Sequence, residues 1–156
     1  MFCTFTIVGD ALDPDEVTEV TGLDPSDAWR KGDPRFWRSG RVGPPRKTSA
    51  WIYEAPVEFS VDLPGLLSRL LDCVEPRRRE ILALMDRTGS RARVSLHIYM
   101  SYTTPDGYVT CATMKRIVAL NADLEFDLYV DDDANLRRRA SGSYPPPETL
   151  DPNTTG

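Results

Sequence analysis

Apolar residues along this chain follow two spacings, one typical of strands and one typical of helices. Four segments place apolar residues at every second position, which predicts β-strands: MFCTFTIV, TSAWIYEA, RARVSLHIYM and DLEFDLYV. Between the strands, apolar residues recur three and four positions apart, most regularly from Leu63 to Val74, which predicts amphipathic helices. In the last strand we expect four residues to face inward: Leu124, Phe126, Leu128 and Val130.

Turn-forming residues mark where the predicted helices begin and end. Asp13 can cap a first helix that starts with Pro14, and Gly22 can end it. Pro76 divides the leucine-rich helix from a second helical segment, because a proline inside a helix removes a backbone hydrogen bond. This second segment is expected to end at Gly89.

The order of elements is strand, helix, strand, broken helix, strand, helix, strand. Clean alternation means that one face of each strand is packed and the other is open, so the helices should cover a single face of the sheet. We therefore predict an α+β fold, a two-layer sandwich whose mixed sheet of four to five strands has helices on one face. The segment from Arg91 to Val130 fits a parallel strand–helix–strand crossover. Its helix, over about Thr110 to Leu120, is expected to pack through Met114, Ile117 and Val118.

Length and composition fit one ordinary domain. Of the 156 residues, 40% are apolar and 28% charged, so we predict a single domain over residues 1–131. Residues 132–156 are rich in proline, serine and threonine and are predicted to be a disordered tail. No apolar stretch reaches the roughly 18 residues of a membrane span, and the start lacks a basic segment, so neither a membrane segment nor a secretion signal is expected.

The cysteine and histidine content of the chain bears on its cellular compartment and on metal binding. Three cysteines without C-x-x-C spacing argue against a disulfide framework and suit the cytoplasm. A single histidine argues against a zinc site, and the sequence predicts no metal and no cofactor.

Charge is distributed unevenly along the chain. Between Trp29 and Lys47, seven cations accompany one acid, Asp33, giving a local charge of +6. The whole chain carries −5, so the remainder carries −11. This pattern predicts a basic loop over residues 30–47, with one short strand near Trp29, that faces anions. The alternative is a solvated loop whose cations offset acids elsewhere, and the acidic total argues against nucleic acid as a partner.

The sheet face opposite the helices is the first candidate site. Its mixture of aromatic, hydroxyl and charged side chains is typical of a recognition surface for a protein partner. The alternative is cross-strand pairing that only protects the sheet. We expect this open face to display some of nine residues: Thr4, Thr6, Trp51, Tyr53, Arg93, His97, Tyr99, Asp127 and Tyr129.

Catalysis finds less support in the sequence. His97 has the right chemistry for a general base, but its same-face neighbour Ser95 would diverge from it along the strand. No G-x-S-x-G, Walker, G-x-G-x-x-G or H-E-x-x-H motif occurs. Cys3 and Cys73 fall at packing positions, whereas Cys111 lies near a helix start, where a thiolate would be favoured.

Three acids of the last strand are also candidate ligands for a metal ion. They share one strand face and have the oxygen atoms that magnesium prefers, but alternating acids on an exposed strand are commonplace. The acids are Asp123, Glu125 and Asp127.

Several motifs together resemble a known family. They are the opening TFTIVGDALDPDEVTEVTGLDPSDAWRKGD, the strand SAWIYEA and the closing KRIVALNADLEFDLYV. Across about Phe2 to Val130 the chain resembles the bacterial domain-of-unknown-function family numbered 4279. The resemblance implies a small cytoplasmic α+β domain without an established activity or cofactor, and it supplies no catalytic residues.

Three functional hypotheses follow. The first is a non-enzymatic bacterial protein, plausibly of the immunity type, which binds and neutralises a protein partner through the open face and the acids from Asp123 to Asp133. The second is a domain that binds a phosphate-bearing ligand or nucleotide through the basic loop, using the sheet face together with Trp29, Arg30, Lys31, Arg35 and Trp37. The third is an enzyme with His97 as its base. Alternatively, Trp29, Trp51, Asp127 and Tyr129 serve packing, with Asp33 paired to an arginine.

Overall fold

The strands pair into one five-stranded sheet and one short two-stranded ribbon. We analysed a computed structural model that describes residues 1–37, 40–55, 62–100 and 107–130. The five-stranded sheet has the order β2-β5-β1-β6-β7 and the ribbon consists of β3 and β4. The strands are β1 (Phe2–Gly9), β2 (Asp27–Trp29), β3 (Arg35–Phe36), β4 (Val42–Gly43), β5 (Ser49–Glu54), β6 (Arg91–Met100) and β7 (Ala122–Val130).

The central strand, β1, pairs antiparallel with both β5 and β6. The edge strand β7 pairs parallel with β6, as the predicted crossover requires. Because both orientations occur, the sheet is mixed. The predicted α+β class and two-layer sandwich are confirmed.

Within these described ranges, four α-helices cover the sheet. They are α1 (Pro14–Thr21), α2 (Leu63–Val74), α3 (Arg78–Thr88) and α4 (Cys111–Ala119). The Asp13 carboxylate caps α1 by accepting from the Asp15 backbone N–H at 3.1 Å, and Gly22 ends it at a φ of 66° that favours glycine. A 3-10 turn over Glu75–Arg77 separates α2 from α3 at the predicted proline.

The core lies between the helices and one face of the sheet. Every second residue of β1 and β6 contributes to it, because alternate side chains of a strand point to the same face of the sheet. The core residues of these strands are Cys3, Phe5, Ile7, Ala92, Val94, Leu96 and Ile98. Within the described ranges, none of the helices has the length and apolar character needed to cross a membrane.

Two expected open-face residues belong to the core instead. Trp51 lies opposite Ile7 and Tyr53 lies opposite Phe5, and directly paired residues of antiparallel strands point to the same face. Since Ile7 and Phe5 face the helices, both aromatic rings do as well, and both are buried. The expectation that Trp51 and Tyr53 lie on the open face is therefore wrong.

The basic segment is more regular than the sequence suggests. The short strand predicted near Trp29 is β2, which pairs with β5 at the sheet edge. In the ribbon, Arg35 lies opposite Gly43 and Phe36 lies opposite Val42, a pairing that the sequence did not predict. The predicted tail, residues 132–156, lies outside the described residues.

Candidate functional site

Polar side chains of β6 and β7 form a hydrogen-bonded group on the open face. Arg93 donates from one guanidinium nitrogen to both carboxylate oxygens of Glu125, at 3.1 and 2.9 Å. The Ser95 hydroxyl donates to Glu125 Oε2 at 2.9 Å. Parallel register places Ser95 directly opposite Glu125, so both donors reach the same acid. This group ties the edge strand to its neighbour.

His97 lies at the end of this group and is enclosed by two rings. Phe2 stacks on the imidazole with centroids 4.2 Å apart, and Tyr129 lies 6.4 Å away on a nearly parallel plane. The nearest oxygen to Nδ1 is Asp127 Oδ2 at 3.3 Å, but the approach lacks hydrogen-bond alignment. Tyr129 donates its hydroxyl to the same carboxylate oxygen at 3.0 Å. The predicted residues His97, Asp127 and Tyr129 are thus brought together.

Burial lowers the pKa of His97 below its ordinary value, although Asp127 and Glu125 act in the opposite direction. The neutral imidazole is therefore the form that the fold favours. Its Nε2 lies 3.4 Å from the Thr4 hydroxyl.

We expect acid to destabilise the protein through His97. The unfolded chain binds a proton at a higher pH than the folded chain does, so the contribution of neutral His97 is present above about pH 6.5 and lost as the pH falls below it. Urea unfolding at pH 7.5 and pH 5.5 tests this. The wild type should lose more stability between these values than His97→Gln does. Equal losses would contradict a lowered histidine pKa.

The imidazole of His97 lies between the Asp127 carboxylate and the Thr4 hydroxyl, an arrangement that resembles a catalytic acid, base and hydroxyl. The surroundings of these side chains favour a packing role. The Thr4 side chain is only 6% exposed. Its strand is paired on both sides, opposite Glu54 and Ser95, so the adjacent backbone N–H groups are engaged in the sheet and cannot stabilise an oxyanion.

Acids near α1 neutralise the first cations of the basic loop. Arg30 contacts Asp13 at 2.8 Å and Asp15 at 2.6 Å, while Lys31 contacts Asp10 at 2.5 Å. These pairs occupy two of the cations expected to hold a phosphate. The Asp33 carboxylate accepts from the Arg30 backbone N–H at 2.7 Å, so it shapes the turn.

Arginines cover the tryptophan rings of the same loop. Arg46 lies 3.9 Å from the centroid of Trp29, whose indole N–H donates to the Thr48 carbonyl at 3.0 Å. Arg35 lies 4.2 Å from the centroid of Trp37. A base would have to displace a guanidinium to stack on either of these faces.

Exposed apolar residues line the outer edge of the sandwich. Phe126 and Leu128 share the helix-side parity of β7, as expected, but they are 50% and 56% exposed rather than buried. In α4, Ile117 is buried, whereas Met114 and Val118 are 44% and 74% exposed. The prediction of a packed inward face is wrong for these four residues, because β7 is the last strand of the sheet among the described residues and α4 is the helix that packs on it.

Comparison with known proteins identifies the family. The family model described as a domain of unknown function, DUF4279, matches residues 1–131. The chain belongs to the DUF4279 family. The resemblance inferred from the sequence motifs is thereby confirmed. Neither the curated proteins nor the solved structures include a match to this DUF4279 chain.

The two candidate cysteines of the DUF4279 chain, Cys3 and Cys111, do not join the polar group. Burial raises the pKa of Cys3 to about 12, which keeps its thiol protonated, and Cys111 is exposed. Tyr99 lies opposite Tyr129 in the strand register, and its side chain lies outside the described part of the structure. Among the described residues, no group of three or more metal-ligating side chains is placed to hold an ion, and this applies to the acids of β7.

The exposed edge is the feature that sequence reasoning missed. The spacing of core residues is shared by four exposed residues, and only the strand order reveals that they lie at the outer edge of the described sheet: Met114, Val118, Phe126 and Leu128. The signal available in the sequence was that the segments of α4 and β7 carry more apolar residues than one short helix can cover.

Proposed function

We propose that this DUF4279 chain is a non-enzymatic binding protein whose ligand is another protein. The observation that carries the proposal is the apolar edge of the sandwich. Phe126 and Leu128 are exposed on the helix-facing side of β7, and acids alternate with them on the other side of the same strand. Apolar side chains clustered at a surface and bordered by charge are typical of protein contact sites.

Binding of a phosphate-bearing ligand by the basic loop is the weaker hypothesis. Arg30 and Lys31 already contact carboxylates, and Arg46 covers the ring of Trp29. A phosphate would have to compete with ion pairs that the fold supplies from α1 and its approach. Contact through the exposed side chains of Phe126 and Leu128 requires no such displacement.

The charge of the chain supports a basic partner. A net charge of −5, with −11 outside the basic loop, would accelerate encounter with a cationic protein and disfavour acidic ones. We propose a bacterial, cytoplasmic role of the immunity type, in which the chain neutralises a basic toxin or effector.

Affinity capture followed by reconstitution tests the function. The tagged full chain is purified gently from its source cells, and each protein found in stoichiometric amount is expressed separately and recombined. We expect a one-to-one complex by light scattering, with affinity that falls as salt increases. Absence of any stoichiometric protein, together with a rise in melting temperature on adding nucleotides, would instead support the phosphate hypothesis.

A further inference from the structure

The outer backbone of β7 is open to another strand. The sheet order ends at β7, and no strand pairs with its outer side in the part of the chain that the structure describes. The strand is long for an edge, with 9 residues from Ala122 to Val130. Natural proteins usually shorten, cover or charge such edges, because the unpaired N–H and C=O groups recruit other strands.

An apolar strip continues from β7 onto α4. Arg116 points toward α2, where it contacts Asp72 at 2.6 Å and Glu75 at 2.7 Å, while Ile117 faces the core. At 100° per residue, Met114 and Val118 then lie on the flank of α4 away from α2. Since α2 packs on β1 and α4 on β7, that flank faces the outer edge of the sheet. We call Met114, Val118, Phe126 and Leu128 the edge strip.

The opposite face of β7 is acidic. Asp123 is exposed, Glu125 is partly exposed although bonded to Arg93, and Asp127 follows at the same parity. A strand lying against β7 would therefore meet apolar side chains on one face and carboxylates on the other.

We propose that the β7 edge accepts a strand from a partner protein as a sixth strand, and that this segment alternates apolar residues with arginine or lysine. The inference rests on the proposed function and specifies its contact. Main-chain hydrogen bonds would supply affinity, as in other cases of strand addition. The apolar positions would pack on the edge strip, and the basic positions would face the β7 acids, which fixes the register.

A second copy of this chain fits the edge less well. Antiparallel self-pairing centred on Phe126 would place Glu125 of one copy opposite Asp127 of the other. Shifting the register by two residues places Asp127 opposite itself. Like charges directly opposite one another destabilise a strand pair, so the acids select against self-association and in favour of a basic segment.

Peptide binding by the full chain tests the proposal. The probe is a fluorescent peptide of about nine residues, matched to β7, in which valine and lysine alternate. One control peptide has the same composition with its lysines grouped together, and a second has glutamate in place of lysine. Fluorescence anisotropy should show that the alternating peptide binds at least about tenfold more tightly than either control, and that added salt weakens it.

Matched substitutions locate the contact. Phe126→Lys should reduce affinity for the alternating peptide at least about tenfold, because a lysine would replace the centre of the edge strip. Phe36→Lys is the control, since Phe36 is also an exposed phenylalanine but lies in β3. Asp123→Lys should weaken binding more than Asp24→Lys does, because Asp24 precedes β2 at the far edge of the sheet.

Three results would overturn the proposal. The first is failure of the alternating peptide to bind, and the second is equal binding by the Phe126→Lys and Phe36→Lys variants. The third is hydrogen exchange in the free chain that protects every β7 amide as strongly as those of β1, since the edge would then be covered already. A captured partner that binds Phe126→Lys normally would leave the proposed function standing and remove only the β7 contact.

Discussion

Replacing Trp51 with alanine should lower the free energy of unfolding by about 3–5 kcal/mol. The indole is fully buried, stacks near Tyr53 with centroids 6.1 Å apart and donates from Nε1 to the Thr18 hydroxyl at 3.0 Å. Truncation would leave a large cavity between β5 and α1 and remove the hydrogen bond that the Thr18 hydroxyl accepts, although this hydroxyl still donates to the Pro14 carbonyl. Urea denaturation measures the loss, and the melting temperature should fall by roughly 10 °C.

Two variants separate packing from general sensitivity to tryptophan loss. Trp51→Phe keeps a ring but loses the hydrogen bond to Thr18, so we expect a loss of about 1–2 kcal/mol. Trp37→Ala removes a half-buried ring that stacks with Arg35 at the surface, and its cost should be at most about 1.5 kcal/mol. A Trp51→Ala protein of unchanged stability that lost a binding activity would restore the open-face assignment.

The location of Trp51 shows what strand periodicity leaves undetermined. Alternation in SAWIYEA separates Trp51 and Tyr53 from Ala50 and Ile52, but it does not say which pair faces the helices. That choice depends on pairing with β1, where Ile7 and Phe5 lie opposite the two aromatic residues. Register is a property of two segments, so one segment cannot supply it.

Local signals were sufficient for the helices. Asp13, Pro14 and Gly22 act within a few residues of each other, and each has the position in α1 that its chemistry predicts. Pro76 likewise separates α2 from α3 at a 3-10 turn. These boundaries follow from backbone chemistry and do not depend on strand order.

The ion pairs of the basic loop join residues that are distant in the sequence but close in the folded chain. The excess of cations from residue 30 onward is visible in the sequence, yet the acids that contact Arg30 and Lys31 lie 15 to 21 positions earlier, before and within α1. β2 brings the two segments together by pairing with β5. The sequence therefore predicted a surplus of charge and, as an alternative, its neutralisation by acids elsewhere, but it did not identify those acids.

The position of β7 at the edge of the sheet explains why residues predicted to be buried are exposed. The inward orientation of Phe126 and Leu128 was predicted correctly, but burial of an inward side chain also requires neighbouring elements on both lateral sides of its strand. β7 has a strand neighbour only toward β6 among the described residues, and α4 is the helix that packs on it. Once the strand order is known, the same residues change from predicted core to candidate contact surface.

Replacing Glu125 with alanine should lower the free energy of unfolding by about 2 kcal/mol. Its carboxylate accepts from both Arg93 and Ser95, and the Ser95 side chain is only 5% exposed, so water cannot readily replace the lost partner. Asp123→Ala is the matched control, because Asp123 lies on the same face of β7 but is exposed, and its cost should stay within about 0.5 kcal/mol. Urea denaturation of both variants supplies the comparison.

The two acids should also separate in peptide binding. Glu125 holds β7 against β6, so its removal should increase hydrogen exchange along β7, whereas removal of Asp123 should leave exchange unchanged and reduce only the attraction for a basic strand. Equal stability of the Glu125→Ala and Asp123→Ala proteins would mean that the Arg93–Glu125–Ser95 group does not secure the edge strand. The acids of β7 would then act alike, as a surface charge.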